Sequence, residues 1–154
     1  MNSIVEVLSA DHRSCDHLFA AADRAAADND WSSLKQALER FVQAMERHFH
    51  HEETALFPAM EARAGANLGP TSVMRLEHNQ MRELFHAMAQ AARAHDAGDY
   101  MGLSETLLIM MHQHNAREEQ VLYPMGDQLL GEQAGPLARR LSRAPAAGRG
   151  DAVG

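Results

Sequence analysis

Six residues in this chain combine side-chain type and spacing in a way that suits metal binding: His12, His48, Glu52, His78, His114 and Glu118. They emerge when the chain is compared with itself. Shifted by 66 residues, positions 10–60 align on 76–126 without a gap. His12 falls on His78, His48 on His114, Glu52 on Glu118 and Glu53 on Glu119. Leu18-Phe19 falls on Leu84-Phe85, Met45 on Met111, Leu56 on Leu122, Phe57 on Tyr123 and Pro58 on Pro124. Each half therefore carries a lone histidine followed by His-x-x-x-Glu, and the halves are expected to pack about a pseudo-twofold axis.

Residues four apart on a helix share one face, so His48 with Glu52, and His114 with Glu118, can address the same ion. Histidine offers a neutral nitrogen, and a carboxylate can bridge two cations through its two oxygens. Two bridging glutamates and two histidines per ion give four protein donors to each, leaving room for a shared oxo or hydroxo ligand and an exogenous molecule. A nitrogen-rich set of this kind argues for iron, zinc or manganese and against calcium or magnesium. A single histidine on an apolar stripe is usually a satisfied core residue. The glutamates decide the matter: facing carboxylates buried in a bundle centre are costly unless cations sit between them.

Helices are what must position these groups. The sequence is rich in Ala, Leu, Met, Glu, Arg and Gln, which lose little rotamer freedom in a helix, and has no alternating strand pattern. Apolar stripes at three- and four-residue steps run through Val5, Leu8, His12, Cys15 and Phe19; through Phe41, Met45, His48, Glu52 and Ala55; through Met74, His78, Met81 and Phe85; and through Leu107, Met111, His114, Glu118 and Val121. The expected fold is all-α, an up-down-up-down antiparallel four-helix bundle with an internal repeat. Ser3 and Glu6 form a capping box for a first helix reaching about Asp28. A second helix restarts at Asp30 and meets a kink or break at Pro58. Residues 65–71 form a loop, a third helix covers about 71–97, and Gly98-Asp99 turns and caps a fourth that meets Pro124. A short fifth helix is expected over 136–143. The bundle is thus assigned to 1–143 and a disordered tail to 144–154.

Composition narrows the function classes. A net charge of −7 without a basic cluster in the helical region speaks against nucleic acid as a partner. No apolar run approaches the roughly 20 residues that span a bilayer, and the N-terminus does not read as a signal peptide. One cysteine permits no internal disulfide, so the expected compartment is the cytoplasm. No nucleophile–base pair and no phosphate loop is evident. Whether the chain is a monomer or a homodimer stays open. His17 and His86 are the candidates for a fifth histidine ligand. Glu53 and Glu119 are read either as groups orienting a ligand imidazole or as a solvated face. Arg82 is expected to pair with Asp16, its repeat mate, and Cys15 to be a buried, inert thiol.

These residues resemble the hemerythrin-like (HHE cation-binding) family. The resemblance is carried by Asp11-His12 with Leu18-Phe19, by His48-Phe-His-His-Glu52-Glu53 before Leu56-Phe-Pro58, by Glu77-His78, and by His114-Asn-Ala-Arg-Glu118-Glu119 before Leu122-Tyr-Pro124. It spans about residues 4–126 and implies a four-helix bundle around a non-haem di-iron centre. Family members carry oxygen, sense oxygen or redox state, handle iron, or repair iron–sulfur centres. Oxygen carriers place a second histidine four after the one on the third helix, where this chain has Arg82. The symmetric four-histidine, two-glutamate set is similar instead to that of the di-iron repair proteins, which usually add a cysteine-bearing N-terminal domain without a counterpart in this sequence. Only two negative charges face two divalent ions, which favours the ferrous state and small ligands such as oxygen, nitric oxide or peroxide. The first functional reading is therefore a di-iron protein that senses or reacts with such a ligand. An iron-handling or cluster-repair protein and a metal-stapled interaction module, in which metal supplies folding energy, are the alternatives.

Overall fold

The computed structural model describes residues 3–65 and 69–153, with side chains up to residue 143. Among these residues the regular structure is helical throughout: α1 Ile4–Ala27, α2 Trp31–His51, α3 Phe57–Ala64, α4 Gly69–Arg93, α5 Ala97–Arg117, α6 Tyr123–Leu130 and α7 Ala134–Val153. A π turn, Glu52–Leu56, joins α2 to α3, and another, Glu118–Leu122, joins α5 to α6, so the bundle has four long rods. Around the bundle the neighbours run α1, α2, α4, α5 and back to α1. No helix among the described residues is long and apolar enough to cross a membrane.

The helix ends follow from local chemistry. Ser3 Oγ accepts from the Glu6 amide at 3.0 Å and Glu6 Oε1 from the Ser3 amide at 3.2 Å, completing the expected capping box. The rods are separated at their far ends by matched turns. Asn29 and His95, repeat mates, take the left-handed conformation (φ 53° and 55°), and Asp30 and Asp96 then cap α2 and α5. The fourth rod is therefore capped by Asp96, not by Gly98-Asp99, and the third ends at Arg93 instead of continuing to Ala97. An aspartate side chain reaching an amide three residues on is the stronger start signal, and it opens α5 at Ala97. At the other turn, Gly65 (φ 103°) ends α3 as Gly131 (φ 53°) ends α6. Of the loop expected over 65–71, residues 66–68 lie outside the described ones.

Pro58 and Pro124 neither break nor end their rods. An interior proline removes one hydrogen bond and presses on the preceding turn. Here the turn before it is widened: the Phe57 amide bonds the Glu52 carbonyl and the Tyr123 amide bonds the Glu118 carbonyl, five residues back. The extra residue shifts the register of everything beyond it. Leu56-Phe57 and Leu122-Tyr123 are buried, whereas Val121, expected inward, is 52% exposed and Ala55 is only partly covered.

The apolar core is divided. One cluster, with Cys15, Phe19, Phe41, Phe49, Met81, Phe85 and Met111, fills the end bearing the Asn29 and His95 turns. A second, with Ile4, Leu8, Leu56, Phe57, Met60, Leu122 and Tyr123, fills the other end. Into the second cluster α7 inserts Ala134, Leu137, Ala138 and Leu141. The fifth helix is thus present but starts earlier and runs further than 136–143. The α7 backbone is helical to Val153, past the boundary expected at residue 143, and the side chains of 144–153 lie outside the described ones. Between the two apolar clusters lies one polar layer.

Candidate metal centre

The polar layer consists of His12 from α1, His48 from α2, His78 from α4, His114 from α5, and Glu52 and Glu118 from the two π turns. All six are buried, both glutamates completely. Their inward atoms form two groups of four, each within 4.8 Å: His12, His48, Glu52 and Glu118, then Glu52, His78, His114 and Glu118. Both carboxylates belong to both groups. Each glutamate presents one oxygen to each half: Glu118 Oε1 is 3.0 Å from His12 Nε2 and Glu118 Oε2 is 3.3 Å from His114 Nε2. Glu52 Oε2 is 3.2 Å from His48 Nε2 and Glu52 Oε1 is 3.0 Å from His78 Nε2. Each glutamate lies one α-helical turn beyond its histidine, which brings it to the same inward face.

Every imidazole turns its other nitrogen to a carboxylate. His12 Nδ1 donates to Glu119 at 2.7 Å and His78 Nδ1 to Glu53 at 2.6 Å. His48 Nδ1 donates to Asp11 at 2.7 Å and His114 Nδ1 to Glu77 at 2.8 Å. The pattern obeys the repeat. Asp11 and Glu77 serve a histidine of their own half, whereas Glu53 and Glu119 cross to the other. Such pairing fixes the proton on Nδ1 and leaves Nε2 as a lone-pair donor facing inward. Arg82 in turn holds Glu53 and Glu46, and Arg117 holds Glu77.

Electrostatics reflects this concentration of charge. Burial would raise the Glu118 carboxyl, but His114 and its bonds from His12 and His48 hold it well below its ordinary range. Burial would lower His114, yet Glu118, Glu52 and Glu77 push it up to about 9. His48 is likewise raised against its burial, by Glu52, Asp11 and Glu118. With Nδ1 already committed, that second proton sits on Nε2, where a cation would replace it.

The donor set fits a metal pair on an independent ground. Glu52 Oε1, Glu118 Oε2, His78 Nε2 and His114 Nε2 are all buried and without a hydrogen-bond partner. Two carboxylate oxygens and two imidazole nitrogens converging there without a well-formed hydrogen bond are costly, and a cation is the group that satisfies them together.

One residue of the site was not anticipated. Tyr123 is fully buried, and its hydroxyl donates to Glu52 Oε2 at 2.5 Å while lying 2.8 Å from Glu118 Oε1, 3.0 Å from His12 Nε2 and 3.2 Å from His48 Nε2. Burial and the two carboxylates push this phenol well above its usual range. An uninterrupted α-helix turns residue 123 away from Glu118; the π turn stacks it there. The available signal was the Phe57/Tyr123 mismatch, an added hydroxyl in an otherwise matched pair. Phe57 instead stacks on His78 with ring centroids 5.9 Å apart.

The remaining expectations divide. His17 and His86 are exposed and lie outside both groups, so neither supplies a fifth histidine. Glu53 and Glu119 do orient ligand-position imidazoles, as one of the two readings held. Arg82 does not pair with Asp16; its guanidinium lies over the Phe49 ring at 5.0 Å and bonds glutamates from α2 and its π turn. Cys15 is buried and its thiol is pushed up to about 12, the signature of an inert sulfur. A groove of about 740 Å³ between α2 and α4 touches Arg82, Trp31 and His95 but none of the six.

The family model for the Hemerythrin HHE cation binding domain matches residues 3–126, which includes all six residues and ends before α7. No curated protein and no solved structure matches the chain.

Proposed function

The chain belongs to the hemerythrin HHE cation-binding domain family, and from that premise we propose that His12, His48, Glu52, His78, His114 and Glu118 hold two iron ions that bind or react with oxygen, nitric oxide or peroxide. The observation that carries this reading is the pair of four-donor groups sharing both glutamates. Two imidazoles and two shared carboxylates per ion suit iron better than an all-oxygen cage would, and carry less negative charge than the four-carboxylate ferritin-type set. Bound iron supplies electrons and coordination positions for a small exogenous molecule.

The protein's own contribution is positioning and exclusion. The four carboxylates on Nδ1 hold each imidazole in its donor tautomer and raise its basicity. The apolar clusters on either side, with Phe49 stacked on His78 at 4.0 Å and Met81 and Met111 beneath, keep bulk water from the layer. A small diatomic or peroxide is the class of molecule suited to a layer buried this deeply.

Metal content of protein purified from its source without added metal, in wild type and in Glu52→Ala/Glu118→Ala, tests the reading. Two irons per chain, absent from the double variant, with anaerobic stopped-flow reaction of the diferrous form with oxygen or nitric oxide, is the expected result. Zinc alone would make the centre a structural staple. A diferrous protein inert to both gases would remove the small-ligand role.

A further inference from the structure

The inward donors of the two half-sites differ by one hydroxyl. Where the second has the ring of Phe57 against His78, the first has the Tyr123 hydroxyl inside its ring of donors. That hydroxyl has one proton to give. It faces the carboxylates of Glu52 and Glu118 and the Nε2 atoms of His12 and His48, whose Nδ1 atoms are paired with Glu119 and Asp11. Five polar atoms, two of them carboxylate oxygens, crowd one buried spot, and a cation is the group that can hold them together.

The spacing points the same way. Donors bound to one ion at about 2.1 Å and at right angles lie about 3.0 Å apart. Tyr123 Oη is 2.5–3.2 Å from all four neighbours, the separation of adjacent donors on one cation. Across the group, His48 Nε2 and Glu118 Oε1 are 3.9 Å apart, closer to the spacing of opposed donors. The hydroxyl therefore caps the other four like the apex of a pyramid.

We propose that Tyr123 is a fifth protein ligand to the ion of the first half-site, bound through its phenolate oxygen, and that the ion of the second half-site, with four protein donors and Phe57 beside it, is the one open to the small ligand. This rests on the preceding reading that the layer holds a metal pair. The step requires no oxidant: the Oη–H bond breaks, the proton leaves to solvent with those displaced from histidine, and the oxygen lone pair forms the bond to the metal.

The test is to load the metal-free chain with ferrous iron, oxidise it to the ferric state, and record iron content, visible absorption and resonance Raman spectra. Wild type, Tyr123→Phe and Tyr100→Phe are compared; Tyr100 is the chain's other tyrosine and is buried in the far apolar cluster. The expected result is a phenolate-to-iron charge-transfer band with phenolate ring modes in wild type and Tyr100→Phe. Both are lost in Tyr123→Phe, which retains two irons and binds two azides per pair where wild type binds one. Phenylalanine is the repeat's own residue at this position, so the variant is expected to fold. Two irons without phenolate modes in wild type, or a band that survives in Tyr123→Phe, would overturn the inference and leave the metal-pair reading standing. No iron in wild type would overturn both.

Discussion

The two half-sites are made from the same ligand residues at the same relative positions, yet only one of them has a protein hydroxyl among its inward donors. In the first, every inward donor finds the Tyr123 hydroxyl. In the second, His78 Nε2 lies against Glu52 Oε1 at 3.0 Å and His114 Nε2 against Glu118 Oε2 at 3.3 Å without hydrogen-bond geometry, and Phe57 brings no hydroxyl to join them. A duplicated hairpin dictates the symmetric frame, four imidazoles and two bridging carboxylates, and one aromatic substitution makes the halves unequal. The orphaned half shows most clearly what the layer is built for. Buried acceptors without donors are eliminated from cores unless a cation repays their burial.

The largest expected effect on this comparison comes from pH. A metal must displace the proton on His114, raised to about 9, and that on His48, raised well above its ordinary value. Apparent metal affinity should therefore climb with pH by about tenfold per unit for each proton displaced, and level off above about 9 for the second half-site. The metal-free chain should behave oppositely. A raised histidine stabilises the fold fully below its unfolded value and ceases to do so as pH rises through the folded one. The contribution of His114 is thus lost towards pH 9. Glu118, held low, contributes above its unfolded value and loses that as pH falls towards the folded one. Metal-free stability should peak between the ordinary carboxylate and histidine ranges, while metal affinity is still rising. Competition titrations and thermal melts from pH 5 to about 9 would check both slopes; parallel slopes would mean that protons and metal do not compete for Nε2.

The frame was legible because a ligand layer built by a repeat leaves its spacing in the chain. His12, His48, Glu52 and their mates recur at one offset, and apolar periodicity orients them inward. What lies beyond Glu52 and Glu118 was misread for a single reason: a periodicity of 3.6 assumes an α-helix, and the π turns insert a residue. Val121 was placed inside and Tyr123 overlooked by the same slip. The supporting carboxylates were half legible. Glu53 and Glu119 repeat, but so do Asp11 and Glu77, and only the packing of α1 on α2 and α4 on α5 shows that they bond His48 and His114. Arg82 was misassigned because symmetry relates it to Asp16 without bringing the two together; it instead pairs with glutamates on the adjacent rod.

A smaller effect separates the two crossing carboxylates. Glu53 and Glu119 are equivalent by repeat, but Glu53 is 25% exposed and held by Arg82, while Glu119 is 37% exposed and has no ion pair to an arginine among the described residues. Removing a carboxylate behind a metal-binding histidine costs about 10–100-fold in affinity. Glu53→Gln should fall near the upper end and weaken the second half-site. Glu119→Gln should fall near the lower end and weaken the first, because a mobile, solvated carboxylate orients its imidazole less firmly. Calorimetric metal titration of both variants measures the difference. Equal losses would show that the Arg82 anchor adds nothing to orientation.

The smallest effect concerns the apolar end shared by both halves, where the repeat's equivalents Met60 and Gly126 meet. A Cβ at Gly126 would lie 3.3 Å from Met60 Sδ and 3.5 Å from Leu56 Cδ1. The thioether closes a gap that two methionines could not share, so the asymmetry here is a matter of volume and not of chemistry. Alanine at this helical position gains about 0.5–1 kcal/mol in backbone terms. Met60 is unbranched and can retreat by a few tenths of an ångström through its own rotamers. The opposing terms should leave Gly126→Ala within about 1 kcal/mol of wild type in urea denaturation of the metal-free protein, with iron stoichiometry unchanged. A clearly larger loss would mean that Met60 is locked by Ile4, Leu56 and Phe57. Packing at this end would then be as tightly specified as the donor layer above it.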